Sequence, residues 1–139
     1  MEHCACSTWR HLRRRFLEEA RILRRVRSEH VVTVHDVGET PDGTPFFVMT
    51  YANAGSAADL LGRVPAPSLG EVVDIIGQAA DGLAALHANG TLHRDVTPQN
   101  LLLHEDLDGR RRVLVADLGV AKSLVAASGI TRVVGTPSY

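Results

Sequence analysis

The sequence predicts an α+β fold, and three observations carry that prediction. Apolar residues recur at helical spacing in two long stretches, 7–27 and 68–87. Two other stretches, 30–51 and 101–116, each pair β-rich segments around a polar turn. With 45% apolar and 22% charged residues over 139 positions, the composition is that of a globular chain with room for one core.

The first helix starts at Ser7 or Thr8, either of which can cap it. Leu12, Phe16, Leu23 and Val26 make one apolar stripe, and Glu19 falls on that stripe. Glu18 is turned about 100° away, toward solvent. A carboxylate on a buried face needs a cationic partner to offset its desolvation. Arg13, Arg14, Arg15, Arg21, Arg24, Arg25 and Arg27 read as a solvated face, balanced by acidic residues elsewhere.

His30 to Val37 is rich in β-branched residues and reads as a strand. Thr40-Pro41-Asp42-Gly43-Thr44 is turn chemistry, and Phe46 to Tyr51 is the returning strand. Asn53-Ala54-Gly55 is a flexible exit, followed by a short helix, Ser56 to Leu61. A Gly- and Pro-containing connector leads to Ser68-Leu69-Gly70-Glu71, a capping box. The helix it opens runs to about His87, where Asn89-Gly90 stops it. Val72, Ile76, Ala79, Leu83 and Leu86 form its stripe, which Val73, Ile75 and Ala80 widen. So wide an apolar surface wants partners on more than one side. Leu101 to Leu103 and Val113 to Ala116 are two short strands around the polar turn Glu105 to Gly109.

Charge and cysteines narrow the classes. The net charge is −1, which gives no reason to expect nucleic acid as a partner. Fourteen of the fifteen cations are Arg, and Lys122 is the only lysine. No apolar run approaches the ~18 residues of a membrane span. Cys4 and Cys6 lie too close for an easy disulfide, and no secretory signal precedes them, so a cytoplasmic setting is expected.

The chemistry concentrates in His93-Arg94-Asp95-Val96-Thr97-Pro98-Gln99-Asn100. Asp95 and Asn100 stand five positions apart, and Asp117-Leu118-Gly119 follows twenty-two positions after Asp95. A lone His-Arg-Asp would be a surface turn with Asp95 capping a loop. The ordered succession, each part beside an apolar strand-like run, argues for more.

H-R-D-x-x-x-x-N followed by D-L-G resembles the catalytic loop and metal-binding turn of protein kinases, of the bacterial serine/threonine type. That resemblance implies a two-lobed kinase-like fold, ATP and Mg2+ as cofactors, and a protein substrate phosphorylated on hydroxyl groups. Asp95 would be the catalytic base, with Arg94 beside it to pair a phosphate on Ser128 or Thr131. Thr136 would brace the base. Asn100 and Asp117 would supply hard oxygen ligands to the metal. Glu19 resembles the helix Glu that meets a phosphate-binding lysine. Met49 would be the gatekeeper, Thr50-Tyr51-Ala52 the hinge, and the Ala52 backbone the adenine contact. Ser56 would lie by the ribose, Gln99 in the nucleotide site, and Leu102 under the adenine ring.

Departures accompany the matches. Thr97 stands where serine/threonine kinases carry Lys, and Leu118 where they carry Phe. No Gly-rich loop or strand lysine precedes the first helix, and no A-P-E follows Tyr139. The expectation is a domain incomplete at both ends, with 7–55 in the upper lobe and hinge and 56–139 in the lower lobe. An apolar second helix lacking the rest of that lobe is expected to drive self-association. An inactive, binding-only kinase remnant and a kinase-like small-molecule phosphotransferase are the alternatives.

Overall fold

The computed structural model describes residues 3–116, and the side chains of residues 10–116. The helix α1 (His3–Arg25) is followed by the hairpin β1 (Val34–Glu39) and β2 (Pro45–Met49). Then come the short helix α2 (Ala57–Leu61), the long helix α3 (Leu69–Ala88), a 3-10 turn at Pro98–Asn100, and the hairpin β3 (Leu101–Glu105) and β4 (Arg111–Val115).

Each element has a local cause. Phe16, Ala20, Leu23 and Val26 of the first stretch are buried, as their helical spacing requires. Phe16 stacks on Phe47 of β2 with ring centroids 4.9 Å apart, which fastens α1 to the hairpin. The β1–β2 turn closes with Thr40 donating to the Thr44 carbonyl at 2.9 Å, and Gly43 takes the left-handed φ of 84° at its tip. Both later helices begin with a capping box. Ser56 and Asp59 form one at α2, and Ser68 and Glu71 form the other at α3. The stop at Asn89-Gly90 is also as the sequence indicates: Gly90 has φ 72° and Thr91 donates back to the Leu86 carbonyl at 3.0 Å.

Three expectations shift. The first helix begins at His3, so Ser7 and Thr8 lie within it rather than at its N-cap. Only Val34–Glu39 of the first β-rich run lies in the hairpin. The residues before it pair elsewhere: Val115 donates to the His30 carbonyl at 2.9 Å, and Val32 to the Val115 carbonyl at 3.0 Å. That parallel bridge adds residues 30–32 to the outer edge of β4. On α3 the buried line is Ile75, Ala79, Gly82 and Leu86, whereas Val73 and Ile76 are exposed. The helix turns this face inward because Gly82 lets it close directly onto His30 and Val115.

The two antiparallel hairpins share one core. Ala20, Leu23 and Val26 of α1 meet Val31, Val32, Val34, Leu86, Leu114 and Val115. A second cluster joins Ala57 and Leu60 of α2 to Ile75 and Ala79 of α3 and to Leu103 and Val113. The strands β3 and β4 run through both clusters; β3 starts at the loop of residues 93–100 and β4 finishes beside it. Among the described residues, no helix is long and apolar enough to cross a membrane.

Candidate functional site

The segment from α3 to β3 cannot run straight, because His93 within it is held in the interior. His93 is buried at 2% exposure, and its two ring nitrogens have different partners. Nδ1 accepts from the Asp95 backbone N–H at 3.2 Å, so Nε2 carries the proton and donates to the Ala116 carbonyl at 2.8 Å. Arg94 between them adopts φ 66°, a left-handed conformation uncommon for any residue but glycine. This local turn aims the Asp95 N–H back at the imidazole and leaves the Arg94 side chain exposed. Strain of this kind costs on the order of 1–3 kcal/mol and persists only where the surroundings enforce it.

Asn100 closes the loop from the other end. It is 4% exposed, and its Nδ2 donates to the Asp95 backbone carbonyl at 2.7 Å and to Asp95 Oδ2 at 3.2 Å. The amide therefore fixes both the backbone and the carboxylate of Asp95. With its N–H groups turned to Asp95, the atom through which Asn100 could ligate a cation is Oδ1, a hard oxygen suited to Mg2+. The Asn100 carbonyl accepts from the Ala116 N–H at 2.9 Å. Ala116 is thus gripped on both sides by the loop, and it immediately precedes Asp117 in the sequence. Asp117 and Thr136 lie outside the described residues, as do Lys122, Ser128 and Thr131. Among the described residues no group of three or more His, Cys, Asp or Glu side chains could hold a metal by itself.

Thr97, in the position of the expected lysine, is half-buried, and its hydroxyl has no hydrogen-bond partner among the described residues. Gln99 is exposed in the 3-10 turn.

Of the remaining predicted residues, three belong to the first core cluster. Ala52 is buried within it, and Met49 and Leu102 pack against it. Tyr51 is half-exposed. Thr50 donates to the Thr33 carbonyl at 2.9 Å, so the stretch leaving β2 stays tied to the strand region before β1. Residues 54–56 then lie antiparallel to β3: Ala54 donates to Leu103 and Leu103 to Gly55 at 2.9 and 2.8 Å. Gly55 has φ 74°, and a Cβ there would sit 2.8 Å from Asp59 Oδ2. The Ser56 hydroxyl is engaged in its cap, donating to Asp59 Oδ2 at 2.8 Å. Hydrogen bonds from the Ser56 hydroxyl and N–H hold the Asp59 carboxyl below its ordinary range. Glu19 is buried in α1, at 4% exposure, beside the core residue Ala20.

Sequence reasoning passed over two residues. His93 opens the His-Arg-Asp motif, but its acceptor lies twenty-three residues on. The local sequence around Asn53 implies a flexible exit. Its side chain instead pairs with both backbone groups of Glu105, donating to the carbonyl at 2.9 Å and accepting from the N–H at 2.8 Å. No local pattern signals that contact.

Comparison with known proteins agrees with this geometry. The family model described as "Protein kinase domain" matches residues 4–139. A curated relative named serine/threonine-protein kinase drp72, from Corynebacterium efficiens, is 37% identical over 132 residues, 90% of this chain and 24% of its own length. PknA of Corynebacterium glutamicum is 38% identical over 135 residues, again 90% of this chain and 27% of its own. The crystal structure of the Mycobacterium tuberculosis PknI kinase domain superposes with a TM-score of 0.63 at 36% identity, covering 79% of this chain and 44% of that one. The chain spans about a quarter of the length of those curated relatives. Its α+β fold is kinase-like, its relatives are bacterial serine/threonine kinases, and the chain belongs to the protein kinase domain family.

Proposed function

We propose that this chain serves a serine/threonine protein kinase that transfers the γ-phosphoryl group of ATP to hydroxyl groups of a protein substrate. The observation that carries the reading is the bonding of Asn100 to both the backbone and the carboxylate of Asp95. Phosphoryl transfer depends on positioning and charge stabilisation more than on covalent chemistry, and this loop is built to position. Asp95 orients the substrate hydroxyl and accepts its proton. Thr136 braces Asp95, and Arg94 pairs with a phosphate carried on Ser128 or Thr131. Asn100 and Asp117 hold Mg2+, which when bound offsets negative charge on the phosphate oxygens.

The nucleotide site in this reading is framed by Glu19, Met49, Tyr51, Ala52, Ser56, Gln99 and Leu102. The Ala52 backbone meets adenine, Leu102 lies beneath the ring, and Met49 limits its depth. Ser56 stands at the ribose end. Residues 7–55 form the upper-lobe and hinge part and 56–139 the lower-lobe part. The setting is cytoplasmic. The exposed Leu69, Val73 and Ile76 of α3 support association with a second copy.

The test is transfer of label from γ-labelled ATP, with Mg2+, to a general protein acceptor by the protein carrying this chain. Asp95→Asn should abolish transfer without lowering the melting temperature by more than a few degrees. Transfer that survives Asp95→Asn would overturn the assignment.

A further inference from the structure

The outer face of α1 carries a row of arginines that neither the core nor the catalytic loop uses. The helix holds seven arginines against two glutamates, and one of those, Glu19, is buried. The whole chain nets −1, so the rest of it carries the balancing negative charge. At 3.6 residues per turn, Arg10, Arg14, Arg21, Arg24 and Arg25 fall within an arc of about 100° along about 22 Å of helix. All five are exposed. Among the described residues, only Arg14 of the five has an ion pair, to Glu18 at 3.6 Å, between two side chains more than half exposed. Like charges one turn apart oppose helix formation. The helix C-terminus offsets this for Arg24 and Arg25 but not for Arg10, Arg14 and Arg21.

We propose that this row is a docking surface for an acidic segment of a partner protein, a run of Asp and Glu side chains laid along α1. Three features select that occupant. Guanidinium groups bind carboxylates through two parallel hydrogen bonds, which lysine cannot do. The arginines form a line with its members about a helical turn apart, and singly charged carboxylates in sequence match a line, whereas a phosphate dianion is best held by arginines that converge. The row is also short. A nucleic-acid duplex or an anionic bilayer extends past it toward β1, on which α1 packs and which exposes Asp36 together with Glu39, the latter already ion-paired to Arg13. With screening over about 10 Å at 0.1 M salt, only a ligand confined to the row escapes that repulsion.

The experiment is fluorescence anisotropy of the full chain with a labelled Glu-Ser repeat peptide long enough to span the row, over a salt series. Arg21→Glu with Arg25→Glu should weaken binding by about tenfold or more and flatten its salt dependence. The charge-matched control, Arg63→Glu with Arg110→Glu, should leave affinity within about twofold. Should the charge reversal unfold α1, Arg21→Gln with Arg25→Gln carries the same expectation with a smaller loss. The proposal is overturned if the peptide does not bind or if both double variants lose affinity equally. Tighter row-dependent binding of a phosphoserine peptide, duplex DNA or phosphatidylserine vesicles overturns it as well.

Discussion

Gly82 is the point where α3 touches β4, whose end abuts the loop holding Asp95, and adding one methyl group there should be costly. A Cβ at Gly82 would lie 2.3 Å from the His30 carbonyl oxygen and 2.8 Å from Val115 Cγ2. Carbon and oxygen rest at about 3.3 Å even in favourable contacts, so something must move by about 1 Å. The nearer neighbour is backbone and cannot rotate away, and that carbonyl already accepts from Val115. Overpacking of this kind costs about 1–3 kcal/mol, and the rigid neighbour puts it at the upper end. Alanine returns about 1 kcal/mol over glycine in a helix interior. The net loss for Gly82→Ala is about 2 kcal/mol, which for a chain of this size lowers the melting temperature by about 6–10 °C. Gly77→Ala is the internal control, in the same helix with nothing within 4 Å of the new Cβ. It should gain up to about 1 kcal/mol. Thermal melts followed by circular dichroism, with urea titration alongside, give both signs. A Gly82→Ala chain that melts at or above the parent would refute the close approach on which the placement of α3 rests.

His93→Leu removes the donor to the Ala116 carbonyl and the acceptor of the Asp95 N–H, and should cost about 1–3 kcal/mol of stability. Amide hydrogen exchange at Asp95 should accelerate in the same variant, and unchanged exchange would contradict the tautomer assigned to His93. Ser68→Ala should destabilise by about 1 kcal/mol through loss of the α3 cap. The Glu71 carboxyl is held below 4.5 by the Ser68 backbone N–H first and its hydroxyl second. A depressed carboxylate contributes stability above its unfolded value and loses it as pH falls through its folded value. The gap between parent and Ser68→Ala should therefore be full above pH 4.5 and shrink in acid, as urea midpoints across pH would show. Ile76→Glu on the exposed face of α3 should shift light scattering toward monomer, and an unchanged mass would remove that face from any self-association.

What could be read from the sequence was whatever its own neighbours determine. The α3 cap was legible because a capping box closes within four residues, whereas the first helix begins at His3, ahead of the expected caps Ser7 and Thr8. The loop was legible because the offsets of His93, Asp95 and Asn100 are short. The misreadings share the opposite property. Residues 30–32 look like the start of a hairpin strand, yet their partner is Val115, more than eighty positions on. The apolar surface of α3 is wide enough to allow several inward faces, and the contact that selects one is made by Gly82, the residue with least side chain to signal it. Asn53 resembles loop filler until Glu105 is beside it.

The same non-local contacts explain how the site is held. Consecutive residues of a strand turn their backbone groups to opposite sides. At the end of β4, both backbone groups of Val115 bond outward to residues 30–32, and both of Ala116 bond inward to the loop, at Asn100 and His93. One step of chain therefore connects the segment leaving α1 with the loop holding Asp95. Because Asn100 also bonds the Asp95 carboxylate, displacing Val115 would reach that carboxylate through Ala116 and Asn100 alone. Gly82 presses on Val115. On the proposed function, Gly82→Ala should disturb the Asp95 carboxylate as well as stability, and below the melting range phosphoryl transfer by the protein carrying this chain should fall further than the folded fraction does. Activity that tracked the folded fraction alone would show that the end of β4 supports the loop without governing its geometry.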